Sequence, residues 1–348
     1  MPDATRTHYR PAAPVLVTGG SGFLGRALVI RLLNRGCPVR TLARRLDQRL
    51  QKLGVRQFEG DLAQPQIVET ACRGVATVFH TAAKPPPWGR YRDYHRTNVV
   101  GTLNVLAGCR EQAVERLVYT SSPSVIFNGR DLRGVDESIS YPARHLSHYA
   151  RTKALAEQAA LKAAEEGLPT IVLRPHQIWG PEDPHFVPRL IARARRLKQI
   201  GDGTNLVDTT YIDNAVDAHL LASDALAANP GLSGRIYFIS QGEPIRAWEM
   251  INMILQAAGL PPVKGRMSYR TAFGLGAAAE WIYRILPLPG EPPMTRFLAE
   301  AVARSHWFDI SAARRDLGYA PRIDINEGMR RLTRWLSQRP AAENTPSN

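Results

Sequence analysis

The sequence predicts an α/β protein: a doubly wound parallel sheet with a smaller lobe toward the C-terminus. Three observations lead there. Short β-branched runs alternate with helix-period segments through the first half of the chain. A glycine triplet falls at the first strand-to-helix turn. After Pro175 the alternation loosens into segments broken by proline and glycine. Strict strand–helix alternation implies parallel strands with helices on both faces.

The elements follow in order. VLVT at 15–18 reads as a buried strand, and a helix over 22–34 sets Leu24, Leu28 and Leu32 four apart on one face. Gly36 is suited to end it. Further strands are expected at 39–43, 55–59, 75–80, 117–121 and 170–173. Past Pro175 a basic helix is expected over 188–198, a strand over 236–240, and helices over 247–258 and 271–286. The chain thus divides into a first domain at 14–180 and a lobe at 181–337, some of whose segments return to the sheet. Residues 1–13 and 338–348 read as disordered tails.

Composition narrows the class. Apolar residues make up 44% and charged residues 22% of the 348, the mix of a globular enzyme with one large core or a core plus a lobe. No run approaches the roughly 18 apolar residues of a membrane span, and the N-terminus lacks the apolar run of an export signal, so a cytoplasmic protein is expected. Cys37, Cys72 and Cys109 have neither metal-ligand nor disulfide spacing; no metal is expected. The formal charge of +14 favours anionic ligands, but no zinc-finger or RNA-binding motif accompanies it, so nucleic acid is not expected.

VLVTGGSGFLG carries Gly19, Gly22 and Gly25 at three-residue spacing, after a strand and into a helix. Gly19 permits the tight turn, Gly22 lets backbone approach a pyrophosphate, and Gly25 lets the helix pack on the strand. The free N–H groups and helix dipole then hold the phosphates. This makes residues 14–180 a Rossmann dinucleotide-binding domain, with Ser21, Phe23 and Leu24 in the same loop. In NAD binders an acid ends the second strand. Here Ala43 stands at that place, followed by Arg44 and Arg45. Arg44 suits a ribose 2′-phosphate, so NADP(H) is favoured over NAD(H). Asp61 and Leu62, in the turn after the third strand, are expected beside the adenine.

Tyr149 and Lys153 lie four apart at the start of a helical stretch, on one face. An ammonium close by would lower the phenol's pKa and suit it to acid–base work. Upstream, LVYTSS is a strand ending in hydroxyls, and Ser122 is placed to hold a substrate oxygen.

TGGSGFLG, GDL, HTAA, TNVVGTLNVL, YTSSPSV, YARTK and LRPHQIWGP occur in the order of the extended short-chain dehydrogenase/reductases, which the chain resembles from about residue 14 to 336. The YTSS and YARTK context is most similar to the 3β-hydroxysteroid dehydrogenase branch. AAKPPPWGRYRDYH, GDGTNLVDTTYIDNA, FISQGEP, LPGEPPMTRFL and ARRDLGY resemble, within it, bacterial reductases of 2-alkyl-3-oxoalkanoates from long-chain olefin biosynthesis. The resemblance implies an NAD(P)-dependent oxidoreductase with catalytic Ser122, Tyr149 and Lys153, Ser121 and Ser124 being alternative registers for the serine. It implies that Asn98 props the active-site helix, that Ala82 and Ala83 run under the dinucleotide, and that Pro175 and Ile178 flank the nicotinamide.

The implied reaction reduces a 2-alkyl-3-oxoalkanoate to the 3-hydroxy acid. Other readings are a 3β-hydroxysteroid or sterol-4α-carboxylate 3-dehydrogenase, a nucleotide-sugar epimerase or dehydratase, and a nicotinamide-sensing protein without chemistry. A hydrophobic, anionic small molecule is the expected ligand. Lys84 is a candidate partner for its carboxylate, and Trp88, Tyr94, Trp179, Phe186 and Tyr211 are candidate pocket walls. The 271–286 helix suits a lid, a partner or a peripheral membrane contact. Arg189, Arg193 and Arg196 form a basic stripe for solvent, an acidic partner or a lipid headgroup. A homodimer is compatible with all of this.

Overall fold

The computed structural model describes residues 14–86, 88–286 and 288–338. The two expected tails fall outside these residues, apart from Gln338. Seven parallel strands form the central sheet: β1 (Val15–Thr18), β2 (Val39–Ala43), β3 (Arg56–Glu59), β4 (Thr77–His80), β5 (Arg116–Thr120), β7 (Thr170–Pro175) and β12 (Ile236–Ile239). Their spatial order is β12-β7-β5-β4-β1-β2-β3. The chain therefore winds outward in both directions from the β1–β4 pair. That reversal opens a crevice at the carboxyl ends of the strands, where α/β sheets take ligands.

β1, β4 and β7 are buried at every residue. This is the signature of a parallel sheet covered on both faces. Helices α1 (Phe23–Asn34), α2 (Gln48–Lys52), α3 (Pro65–Cys72), α4 (Tyr91–Tyr94), α5 (Gly101–Glu111) and α6 (His148–Glu165) belong to the first half. A π-helical stretch, His95–Val100, joins α4 to α5. Beyond them lie α7 (Phe186–Arg193), α8 (Ile212–Ala228), α9 (Ala247–Ala257), α10 (Tyr269–Ile285), α11 (Arg296–Ala303), α12 (Ser311–Leu317) and α13 (Ile325–Ser337). α8 and β12 return to the central sheet. Arg31 of α1 fastens α8 through an ion pair with Asp217 at 2.6 Å.

A second sheet, not expected from the sequence, runs β13 (Ile245–Arg246), β10 (Leu206–Val207), β15 (His306–Phe308), β6 (Leu132–Val135). Two short parallel pairs join β8 (Ile178–Trp179) to β11 (Thr210–Tyr211) and β9 (Lys198–Ile200) to β14 (Gly265–Met267). These strands are two to four residues long, too short to show alternation.

The basic helix expected over 188–198 is shifted and shorter. Asp183 caps its start, its carboxylate accepting the N–H groups of His185, Phe186 and Val187. Pro188 then sits in the first turn, where a missing N–H costs nothing. Lys198 leaves the helical path to pair with Gly265.

Candidate active site

A cavity of about 1840 Å³ starts at the glycine loop and runs beneath α7, α10 and α11. Gly19 adopts φ +69°, and a Cβ there would stand 2.9 Å from Ala82 Cα. A Cβ on Gly25 would reach 2.2 Å from the Gly19 carbonyl oxygen. Side chains are thus excluded from the two points where β1, α1 and the β4 loop converge. Gly22 is the N-cap of α1 and offers no side-chain cap, so nothing from this position competes for the first N–H groups. Gly19, Ser21, Gly22, Phe23, Leu24 and Gly25 all line the cavity. This bare N-terminus, with no room for a Cβ, fits a pyrophosphate.

Past the glycine loop, Ala43, Arg44, Arg45, Asp61 and Leu62 wall one end of the cavity. Arg44 and Arg45 are exposed and make no ion pair among the described residues. Asp61 is engaged on both oxygens, accepting the Ala63 N–H at 2.9 Å and pairing with Arg96 at 3.0 Å.

At the other end Ala82, Ala83, Ser122, Tyr149, Lys153, Pro175 and Ile178 come together on the cavity wall. Ser147 caps α6, accepting the Ala150 N–H, and so fixes the turn that carries Tyr149. Burial pushes the Tyr149 phenol up, and the Ser122 hydroxyl beside it pulls it partly back. Ser122 also accepts the Ser124 N–H at 3.3 Å. Ser121 and Ser124 also line the cavity, their hydroxyls buried and without a hydrogen-bond partner among the described residues.

In this structure Lys153 bonds the backbone and not the Tyr149 phenol. Its Nζ donates to the Thr120 carbonyl at 2.6 Å and lies 4.4 Å from the Tyr119 ring centre. The residue is 3% exposed, and burial lowers its ammonium to about 7 despite Glu157 nearby.

Asn98 does not line the cavity; it braces it. Its Oδ1 accepts the Lys84 N–H at 2.7 Å, and its Nδ2 donates to Thr152 of α6 at 3.1 Å. The sequence around His80, in the HTAA segment, carries no local signal of its role. His80 sits between Thr18 and Thr102 at 2.6 and 2.9 Å, held near pKa 3 by burial and therefore neutral. Thr102 passes the chain of bonds on to the Asn98 carbonyl. The ends of β1 and β4 and the π-helical stretch are thereby locked to one another.

Of the expected pocket walls, only Phe186 lines the cavity. Trp179 and Tyr211 are buried against each other, 5.3 Å between rings, and pack on Gly328 of α13; the Trp179 indole N–H donates to Thr209. They are core, because β8 and β11 turn these side chains away from the cleft. Tyr94 is buried behind Tyr149, 6.3 Å ring to ring, with its hydroxyl on the Pro85 carbonyl. Trp88 packs edge-on to Tyr283 of α10. The Lys84 ammonium rests 5.4 Å from the Tyr94 ring centre, outside the cavity lining.

The basic stripe meets an acid from its own chain. Arg189 and Arg193 both pair with Glu291, at 3.0 and 2.8 Å, and all three line the cavity. Beyond them the wall is apolar, with Leu275, Ala279 and Ile282 from α10 and Phe297 and Leu298 from α11. No group of three or more potential ligands for a metal ion occurs among the described residues. No described helix is long and apolar enough to cross a membrane.

This architecture has known counterparts. A chain from Stenotrophomonas maltophilia (strain K279a) named 2-alkyl-3-oxoalkanoate reductase is 50% identical over 323 residues, covering 91% of this chain and 98% of that one. A Shewanella oneidensis chain of the same name is 47% identical, covering 91% and 84%. Human sterol-4-alpha-carboxylate 3-dehydrogenase, decarboxylating, is 34% identical, covering 94% and 90%. Among solved structures, MoeE5 in complex with UDP-glucose and NAD superposes with a TM-score of 0.73 at 30% identity, covering 93% and 99%. The model of the 3-beta hydroxysteroid dehydrogenase/isomerase family matches residues 16–267. The chain belongs to the 3-beta hydroxysteroid dehydrogenase/isomerase family and is an oxidoreductase.

Proposed function

We propose that this enzyme reduces the 3-keto group of a 2-alkyl-3-oxoalkanoate to the secondary alcohol, with NADPH as donor. One observation carries the chemistry: Tyr149 and Ser122 face each other where the dinucleotide cleft opens into a large apolar cavity. Pro175 and Ile178 would flank the nicotinamide, which would supply the hydride when bound. As the carbonyl carbon accepts it, negative charge grows on the oxygen. Ser122 holds that oxygen and Tyr149 gives it a proton. A phenol pushed up by burial keeps its proton at neutral pH, which suits reduction rather than oxidation. Lys153 serves the ribose and the Thr120 carbonyl, and Asn98 keeps α6 in register.

The missing acid at Ala43 and the unpaired Arg44 support the phosphorylated dinucleotide. The relatives' names support the substrate, and the volume and apolar wall of the cavity suit two alkyl branches. At the cavity rim the end of α10 exposes Trp281, Ile285 and Leu286 beside Arg284. This arrangement suits contact with an anionic lipid surface. Cosedimentation with phosphatidylglycerol vesicles that survives Trp281→Asp would reject that contact.

The deciding measurement is NADPH oxidation against a panel of 2-alkyl-3-oxo acids, 3-ketosteroids bearing a 4-carboxylate, and UDP-sugars. Turnover confined to the 2-alkyl-3-oxo acids is expected. Preference for the steroid acids, or turnover of UDP-sugars without added NADPH, would reject the reading.

A further inference from the structure

We infer that Arg189 and Arg193 form the carboxylate-binding subsite of the cavity, and that Glu291 occupies it as a built-in carboxylate that the ligand displaces. The inference extends the keto-acid reading above, but its core is a binding site for any long-chain carboxylate.

The geometry is specific. Residues 189 and 193 are one helical turn apart on α7, so both guanidinium groups project from one face. Both reach the same oxygen, Glu291 Oε1. Two cations share one anion, which leaves a net positive charge on the wall of a largely apolar cavity. His185 adds no third charge there, because burial lowers its pKa.

The position relative to Tyr149 also fits. Arg189 Nη2 donates to the Pro86 carbonyl at 3.4 Å. The neighbouring Pro85 carbonyl accepts the hydroxyl of Tyr94, and Tyr94 packs against Tyr149. The 85–86 backbone and the Tyr94 ring thus connect the arginines to the reacting end. Lys84 lies against Tyr94 and Gly89, outside the cavity lining.

Glu291 is built to leave. It lies in the connection between α10 and α11, among Pro289, Gly290, Pro292 and Pro293, outside any helix or strand. Gly290 takes φ +80°. The connection is tied to α7 by the two ion pairs and by Arg193 Nη1 donating to the Pro293 carbonyl at 3.4 Å. A carboxylate entering the cavity satisfies the same two cations and frees the connection to move.

The test is binding before turnover. Dodecanoate and its methyl ester are titrated calorimetrically into the purified full-length protein, in wild type, Arg189→Met, Arg193→Met and Glu291→Gln. Wild type should prefer the acid. Each arginine variant should lose ~10-fold or more of acid affinity while the ester changes less than about twofold. Glu291→Gln, which keeps the side-chain shape, should bind the acid several-fold more tightly because the competing charge is gone. Equal changes for acid and ester, or weaker acid binding in Glu291→Gln, would overturn the subsite. Turnover on 2-alkyl-3-oxo acids then tests the substrate reading separately. Its absence, with the binding pattern intact, leaves the carboxylate site standing and rejects only the substrate.

Discussion

The strands of the central sheet run four to six residues, and β1, β4 and β7 are buried throughout. The strands β9, β10 and β13–β15 run two or three, and each pairs with a segment remote in sequence. In the sheet half, main-chain geometry places the site: a glycine turn, a bare helix end, and the capped α6 that carries Tyr149. On the lobe side, side chains make it: two arginines, one glutamate and an apolar wall. A site built from backbone depends on few residue identities at fixed spacing. A site built from side chains depends on which surfaces meet.

The largest effect expected from this contrast is on rate. Tyr149→Phe leaves the glycine loop untouched, so NADPH should bind nearly as in wild type while kcat falls ~10²–10⁴-fold. Single-turnover reduction and cofactor titration check both halves. A variant that keeps more than about a tenth of kcat, with chemistry rate-limiting, would remove Tyr149 from its role.

The next effect is on stability. Glu157 and Arg174 form an ion pair with side chains 0% and 1% exposed, and Tyr141 also donates to Glu157. Removing the acid strands a buried guanidinium. Glu157→Gln should cost ~3–5 kcal/mol of folding stability, read as a lower denaturant midpoint. A loss below about 1 kcal/mol would mean that water reaches the pair.

Cofactor choice comes third. Arg44→Ala should weaken NADPH binding roughly ten- to hundred-fold and leave NADH unchanged. Parallel fluorescence titrations decide it; equal losses for both dinucleotides would place Arg44 on the adenine and not on a 2′-phosphate.

The smallest effect concerns Lys153. Its folded pKa is about 7 against an ordinary 10.5. Between those values the unfolded state binds more protons, so folding gains stability as pH rises. Below pH 7 both states hold the proton and the full burial cost weighs on the fold. Lys153→Met should therefore raise Tm, on the order of a few degrees below pH 7, with the gain fading toward pH 10.5. A pH-independent difference would show that the Thr120 carbonyl and the Tyr119 ring compensate the charge.

The same contrast explains what could be read from the residues alone. β1, α1 and β2 are legible to within a residue because burial and glycine geometry leave local marks. Lining of the cleft by Gly22, Arg44, Tyr149 and Pro175 follows from their places at the ends of sheet elements. Trp179 and Tyr211 read as pocket walls but stand in the core, because aromatic character does not say which way a two-residue strand faces. Lys84 reads as a carboxylate partner but rests on the Tyr94 ring, outside the cavity lining. The pairing of Arg193 with Glu291 spans 98 residues and has no local signature. The arginines showed as a stripe, but nothing in the stripe named its partner.

The seventh strand has a consequence for how the molecule is made. β12 is contributed by residues 236–239, yet it closes the sheet beside β7. During synthesis β7 leaves the ribosome more than sixty residues ahead of the strand that covers it. Until then the nascent sheet ends on the bare backbone of Thr170–Pro175, six residues that are all buried in the finished enzyme. An uncovered apolar edge of that kind recruits other chains. In the interval between the two strands that edge stays unpaired, and a truncation before residue 236 would leave it so.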